Sequence, residues 1–228
     1  TLRYAPGESF VNSKQRRIPV SLDAPIFTLT HAMGFKGVLG GEYSFNRTEA
    51  SVWKRFWLPS SWGKIDCSIK AGAEWNTVPF PLLILPEANL SYITQRETFN
   101  LINNMEFLND RFASVSLSYD MNGKLFNRIP LIKNLKWREM FRVRALWGTL
   151  TDKNNPFKSS NPDLFRFPMR DGKFTSFVMD PKIPYVEASV GIYNIFKLLH
   201  IEYVHRFTYR DNPGINKNGV RFMVLMAF

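Results

Sequence analysis

The stretch KIDCSIKAGAEW, Lys64 to Trp75, decides the architecture, because one parity is wholly apolar and the other wholly polar, charged or glycine. Ile65, Cys67, Ile69, Ala71, Ala73 and Trp75 oppose Lys64, Asp66, Ser68, Lys70, Gly72 and Glu74. A period of two places the sets on opposite faces of a β-strand, since successive side chains leave opposite sides of the pleat. The split recurs from Ala113 to Met121, where Val115, Leu117 and Tyr119 oppose Ser114, Ser116, Ser118 and Asp120. It recurs again from Trp137 to Trp147, where Phe141, Val143 and Ala145 oppose Arg138, Arg142 and Arg144, with Glu139 and Met140 as exceptions near the start.

The C-terminal third follows the same rule. Val186, Ala188, Val190 and Ile192 oppose Glu187, Ser189 and Gly191, and Leu199, Ile201, Tyr203, Phe207 and Tyr209 oppose His200, Glu202, Arg206 and Thr208. The last segment sets Val220, Phe222, Val224, Met226 and Phe228 against Gly219, Arg221, Met223, Leu225 and Ala227. Less regular strands are expected over Pro25–Met33, Gly41–Trp57 and Thr98–Phe107, and Thr1 to Ser9 reads as part of a strand rather than as a leader. Asn76–Glu97 and Thr151–Pro184 are long, Pro-rich connections, and Leu125–Leu135 is a third, with an apolar IPLIKNL core. Counted back from Phe228, these strands place the two longest connections on opposite sides of the sheet.

With 228 residues, 45% of them apolar and 21% charged, the chain has the material for a core and is not a disordered tail. The net charge of +11 permits nucleic acid, an anionic membrane or a basic pore as partner. Cys67, the single cysteine, excludes a disulfide framework and cysteine-based metal sites. No apolar run reaches a transmembrane helix, and the mean hydropathy is −0.20. Barrels escape that filter because their strands alternate. Strand length and the aromatics separate the two all-β options. Alternation here is sustained for about 9 to 12 residues, as a tilted bilayer strand requires, against about 5 to 6 for soluble strands. Trp75, Trp137, Trp147, Tyr203, Tyr209 and Phe228 gather at the ends of apolar faces, as in the aromatic girdles of the two bilayer interfaces. The expected fold is an all-β antiparallel transmembrane barrel in a single domain over residues 1–228, with a soluble β-sandwich binding module as the disfavoured rival.

On that reading the lumen is lined by Lys64, Asp66, Lys70, Glu74, Asp120, Arg138, Arg142, Arg144, Glu187, His200, Glu202, Arg206 and Arg221. So many cations cannot sit dry without partners. Either water fills a pore that favours anions, or carboxylates and the Asn76–Glu97 loop pair with the cations and plug it, and the near-balance of charges favours the plug. Catalytic, metal and cofactor chemistry find no support. His200 and Glu202 share one polar face and are read as lumen fill, His205 faces the apolar side, and His31 supports nothing further. Gly37–Gly41 lacks the Lys-Ser/Thr of a phosphate loop. Arg138, Arg142 and Arg144 lack the interleaved aromatics of a nucleic-acid surface.

The strings GKLFNRIPLIKNLKWREMFRVRALWGTLTDKNNP (Gly123–Pro156), KIPYVEASVGIYNIFKLLHIEYVHRFTY (Lys182–Tyr209) and DNPGINKNGVRFMVLMAF (Asp211–Phe228) resemble the C-terminal barrel region of a Bacteroidota outer-membrane family. Members of that family carry a carboxypeptidase-regulatory-like domain ahead of an uncharacterised barrel domain. The resemblance is close over Asn89–Phe228 and looser over Thr1–Ala88. The barrel is in turn similar to those of barrel-assembly and two-partner-secretion translocators, which implies about sixteen strands. The ten or so counted here would then be the C-terminal part of a domain incomplete at its N-terminus. The resemblance implies a bacterial outer-membrane location, contact with outer-membrane lipid and lipopolysaccharide, and assembly by the barrel-assembly machinery through Phe228. Other outer-membrane or periplasmic proteins are implied as partners, in a biogenesis, secretion or transport complex. The translocators' Arg-Gly-Tyr/Phe loop motif is replaced here by Asn89-Leu90-Ser91-Tyr92, which argues against active translocation.

Overall fold

A computed structural model describes residues 1–14, 16–95, 97–158 and 169–224. In chain order its strands are β1 (Leu2–Tyr4), β2 (Phe10–Asn12), β3 (Arg17–Pro19), β4 (Ile26–Gly34), β5 (Phe45–Trp57), β6 (Lys64–Glu74), β7 (Arg111–Asp120), β8 (Arg138–Thr149), β9 (Met169–Arg170), β10 (Lys173–Phe174), β11 (Tyr185–Ile195), β12 (Leu199–Arg206) and β13 (Asn218–Val224). One short helix, α1 (Pro130–Leu135), lies between β7 and β8.

The molecule is all-β. Nine strands form a single antiparallel sheet in the order β1-β4-β5-β6-β7-β8-β11-β12-β13, a meander from which the β2–β3 and β9–β10 hairpins project. The registers keep the polar parities aligned: Lys64 faces Asp120, Asp66 faces Ser118, Arg144 faces Glu187, and Glu202 faces Arg221. A slip of one residue in any pair would carry a row of charges to the other face, so the alternation itself fixes the register. Among the described residues no pairing joins β1 to β13. The outer edge of β13 is met instead by the β6–β7 connection: the Thr94 amide donates to the Phe222 carbonyl, and the Phe222 amide to the Tyr92 carbonyl, each at 2.9 Å.

Thr98–Phe107 is not a strand of the sheet. It belongs to a single connection that runs from Trp75 to Asp110 between β6 and β7. Its removal from the strand count puts both long connections, 75–110 and 150–184, at the same end of the sheet. The opposite end carries the tight turns at 58–63 and 196–198, the α1 connection and the 5–25 connection with its β2–β3 hairpin. The described part of the last strand stops at Val224, and Phe228, read as an assembly signal, lies outside the described residues.

The 75–110 connection lies across the polar face. It brings Phe99, Ile102 and Phe107 against Leu146, Met179 and Tyr185, while Val78, Leu83 and Leu108 form a second cluster with Leu150. These apolar clusters are small, and much of what the sheet and connection bury between them is ionic.

Candidate functional site

The strands deliver their charges to the covered face by parity alone. Arg142 and Arg144 on β8, Glu187 and Ser189 on β11, and His200, Glu202 and Arg206 on β12 are all buried there. Arg142 Nη1 donates to both carboxylate oxygens of Glu202, at 2.9 and 2.8 Å. The Ser189 hydroxyl also donates to that carboxylate, and His200 Nε2 lies 3.3 Å from it. Ser and His thus share one acceptor and do not touch each other in the order a nucleophile and its base require. Among the described residues no His/Cys/Asp/Glu cluster could hold a metal.

The second pair ties the sheet to the connection. Arg144 donates to Glu187 at 3.1 Å, and Glu187 also accepts the amides of Asn100 and Leu101, at 2.8 and 3.1 Å, and the Tyr185 hydroxyl at 2.9 Å. Arg206 meets Glu106, also on the connection, with one amine at 3.0 Å and the other on the second oxygen. Its remaining donors go to the carbonyls of Leu101, Thr208 and Tyr209, and its guanidinium lies 4.8 Å from the Tyr185 ring centroid. Tyr209, just past β12, donates to the Ile183 carbonyl at 2.7 Å, and burial raises its phenol above the ordinary value. A buried cation so completely hydrogen-bonded is tolerable, whereas removal of one partner strands a charge where water cannot reach it.

The other candidate residues lie further out on the same face. Arg55 and Asp66 form a two-point pair at 2.6 and 2.9 Å, Lys64 lies 3.7 Å from Asp120, and Glu74 accepts the Asn46 amide beside Arg47. Arg221 donates to the Asn100 carbonyl. Arg138 has the inward parity but sits exposed where β8 begins, its guanidinium 5.9 Å from the Tyr193 ring centroid. Glu139 has the outward parity yet is buried, because the α1 connection folds over it and donates the Leu125 and Phe126 amides. Glu106, Asn89 and Asn100 were not among the candidates. Asn89 is a buried pivot whose side chain bonds Ser91, Ile93 and Asn100.

Toward β4–β7 the face changes character. A cavity of about 210 Å³ lies between sheet and connection, with Thr30, Ser51, Ser68, Ser114, Ser116 and Lys70 on the sheet side and Ile84, Leu85 and Phe99 on the side of the connection. Lys70 reaches Glu87 at 3.1 Å and Glu97 at 2.8 Å, both partly exposed and both on the connection. The covered face therefore has a dry ionic half under β8, β11 and β12 and a hydroxyl-lined half under β4–β7.

The opposite face is apolar and uncovered. Leu117, Phe141, Val143, Trp147, Val190, Ile201, Tyr203 and Val220 are all exposed, and no second sheet lies on them among the described residues.

A family model described as "Family of unknown function (DUF5686) C-terminal domain" matches residues 1–157. The match takes in the N-terminal stretch, where the sequence resemblance is the looser one, and stops before the strings at Lys182–Tyr209 and Asp211–Phe228. No curated protein matches the chain.

Proposed function

The chain belongs to the DUF5686 C-terminal domain family, whose function is unknown, and from that premise we propose that it forms part of an integral β-barrel of the bacterial outer membrane. In this reading it is non-enzymatic, its lumen is plugged by the 75–110 connection, and it serves as a component of a biogenesis, secretion or transport complex.

The observation that carries the reading is the inversion of burial across one sheet. Val143 and Val190 are 46% and 48% exposed, while Arg206 and Glu202 on the covered face are at 0%. In water such a sheet loses twice, since it leaves apolar area hydrated and removes charges from solvent. Against lipid the same outer face is the favourable one, and the charges need only one another and the connection. Lipid tolerates no open sheet edge. The reading therefore requires further strands to pair with β1 and with the part of β13 that the bridge at Phe222 leaves open, in line with a barrel of about sixteen strands.

The hydroxyl-lined cavity favours a second reading, a passive channel. An anion-favouring pore would need cations facing water, and here Arg142, Arg144 and Arg206 each face a carboxylate. A plugged scaffold fits these pairs better. Alkaline carbonate washing of membranes that contain the protein tests the membrane reading. The protein should stay in the pellet and dissolve only in detergent; release by carbonate would refute it.

A further inference from the structure

At the end of the sheet that carries the 58–63 and 196–198 turns, one connection is basic throughout. The connection Met121–Trp137 contains Lys124, Arg128, Lys133 and Lys136 and no Asp or Glu. Its helix α1 begins on Pro130, where the missing amide costs nothing, and stops at Lys136, whose left-handed backbone closes the last turn. Six residues are too few to stand as a helix on their own. Yet this one leaves Leu131 83% exposed, with Ile129 and Leu135 also exposed beside Lys133.

The neighbouring β11–β12 turn is tied to it. Asn194 Nδ2 donates to the Lys136 carbonyl at 2.7 Å, and Tyr193 pairs with Arg138 across the strands. That turn presents Phe196, 83% exposed, followed by the exposed Lys197. Both have a left-handed backbone, with φ of 51° and 63°. These are the central positions of a tight hairpin turn, where Asn-Gly is the least strained choice and a bulky aromatic is a costly one. Neither side chain recovers that cost by burial within the chain.

We propose that α1 and the Phe196–Lys197 turn together bind the headgroups of anionic phospholipid. This rests on the outer-membrane barrel reading. Leu131, Leu135 and Phe196 enter the boundary of the acyl chains, and Arg128, Lys133, Lys136 and Lys197 lie at the level of the phosphates. Cations and large apolar side chains interleaved on one short, exposed element are what an interfacial anchor combines, because each alone gives weak attachment. Among the described residues none of these four cations pairs with a carboxylate, so their charge is free to meet phosphate. Elsewhere the cations stand among carboxylates and pair with them: Arg3 with Glu8 at 2.7 Å on the 5–25 connection at this same end, and Lys158 with Asp152 at 3.0 Å at the opposite end. Tight turns of outer-membrane barrels lie on the periplasmic side, next to the phospholipid leaflet.

The test uses the full chain reconstituted into vesicles of phosphatidylcholine and phosphatidylglycerol, with tryptophan quenching by the brominated form of either lipid. Brominated phosphatidylglycerol should quench more strongly. The preference should collapse in about 1 M salt and be largely lost when Arg128, Lys133, Lys136 and Lys197 are all changed to Gln. A second variant, Phe196→Asn with Lys197→Gly, installs the relaxed turn; it should resist unfolding in micelles better than the parent while its lipid preference weakens. An unchanged preference in both variants overturns the proposal, as does competition by millimolar inorganic phosphate, which would assign the site to a free anion. If the parent withstands carbonate washing but shows no preference, only this inference falls. If carbonate removes it, the barrel reading falls as well.

Discussion

Arg206 and Glu106 stand 100 residues apart in the chain and meet as a two-point ion pair in which neither side chain is more than 1% exposed. The pair fastens the β6–β7 connection to β12, and with Glu187 and its bonds to Asn100 and Leu101 it holds the connection against the sheet. Arg206→Met should destabilise the fold by about 3 to 5 kcal/mol, because the Glu106 charge is left without a cation. Arg206→Met with Glu106→Leu should recover part of that loss, since the desolvation penalty disappears with both charges while the carbonyls of Leu101, Thr208 and Tyr209 lose their donor. Urea titration followed by tryptophan fluorescence separates the cases. A double variant as unstable as the single would show that the pair itself is not the cause.

Positive charge on the uncovered face distinguishes lipid from water as its neighbour. Val143→Arg or Val190→Arg should cost about 2 to 4 kcal/mol if the position lies near the bilayer midplane. In water, substitutions at such exposed sites stay within about 0.5 kcal/mol. Ser116→Arg, into the hydroxyl-lined cavity, should be tolerated. The folded fraction in vesicles, read from heat-modifiable gel mobility, gives the comparison.

Gly63 and Gly7 both have a left-handed backbone, with φ of 88° and 76°. At Gly63 an added Cβ would lie 1.8 Å from the Asp120 carbonyl oxygen, whereas at Gly7 it would meet nothing within 4 Å. Gly7→Ala should therefore cost only the left-handed penalty of about 1 to 2 kcal/mol. Gly63→Ala forces the β5–β6 turn away from the end of β7 and should cost clearly more. Equal unfolding midpoints for the two variants would contradict this.

The latch between Lys70 and the partly exposed Glu87 and Glu97 is solvated, so its loss should change stability by less than about 1 kcal/mol. It nevertheless stands over the cavity. The intact protein should show little or no conductance in planar bilayers, and deletion of residues 79–96 should raise it. A large, steady, anion-selective conductance before any deletion would favour the passive-channel reading.

Much of the sheet was legible from side-chain parity. Lys64–Trp75 and Ala113–Met121 fall within a residue or two of β6 and β7, because a strand exposed to two different environments writes both into alternate positions. Thr98–Phe107 misled for the same reason. Phe99 and Phe107 alternate with Asn100 and Glu106, but Ile102, of the polar parity, joins the two phenylalanines in the cluster with Tyr185, and it is the Asn100 backbone amide and the Glu106 carboxylate that bond Glu187 and Arg206. Local periodicity records that a segment has two faces, not that they belong to a ladder. Arg142, Arg144 and Arg206 have the parity that the structure covers, whereas Arg138 sits exposed, and Arg47 and Arg55 on the same face were not among the candidates. Glu106, Glu87 and Glu97, which complete the pairs of Arg206 and Lys70, were not legible either, since a contact across a long connection leaves no local period.

The central claim, that the apolar face meets lipid while the polar face is enclosed, is tested most directly by site-directed spin labelling. With Cys67 changed to Ser, single cysteines at Val143, Val190, Ile201, Ser114 and Ser116 would carry the label in vesicle-reconstituted protein. Collision with apolar oxygen should be high at Val143, Val190 and Ile201, with collision by a polar nickel chelate low, and the labels at Ser114 and Ser116 should show low oxygen collision. High nickel accessibility at Val143 and Val190 would mean that water covers the apolar face, and the membrane account would be wrong.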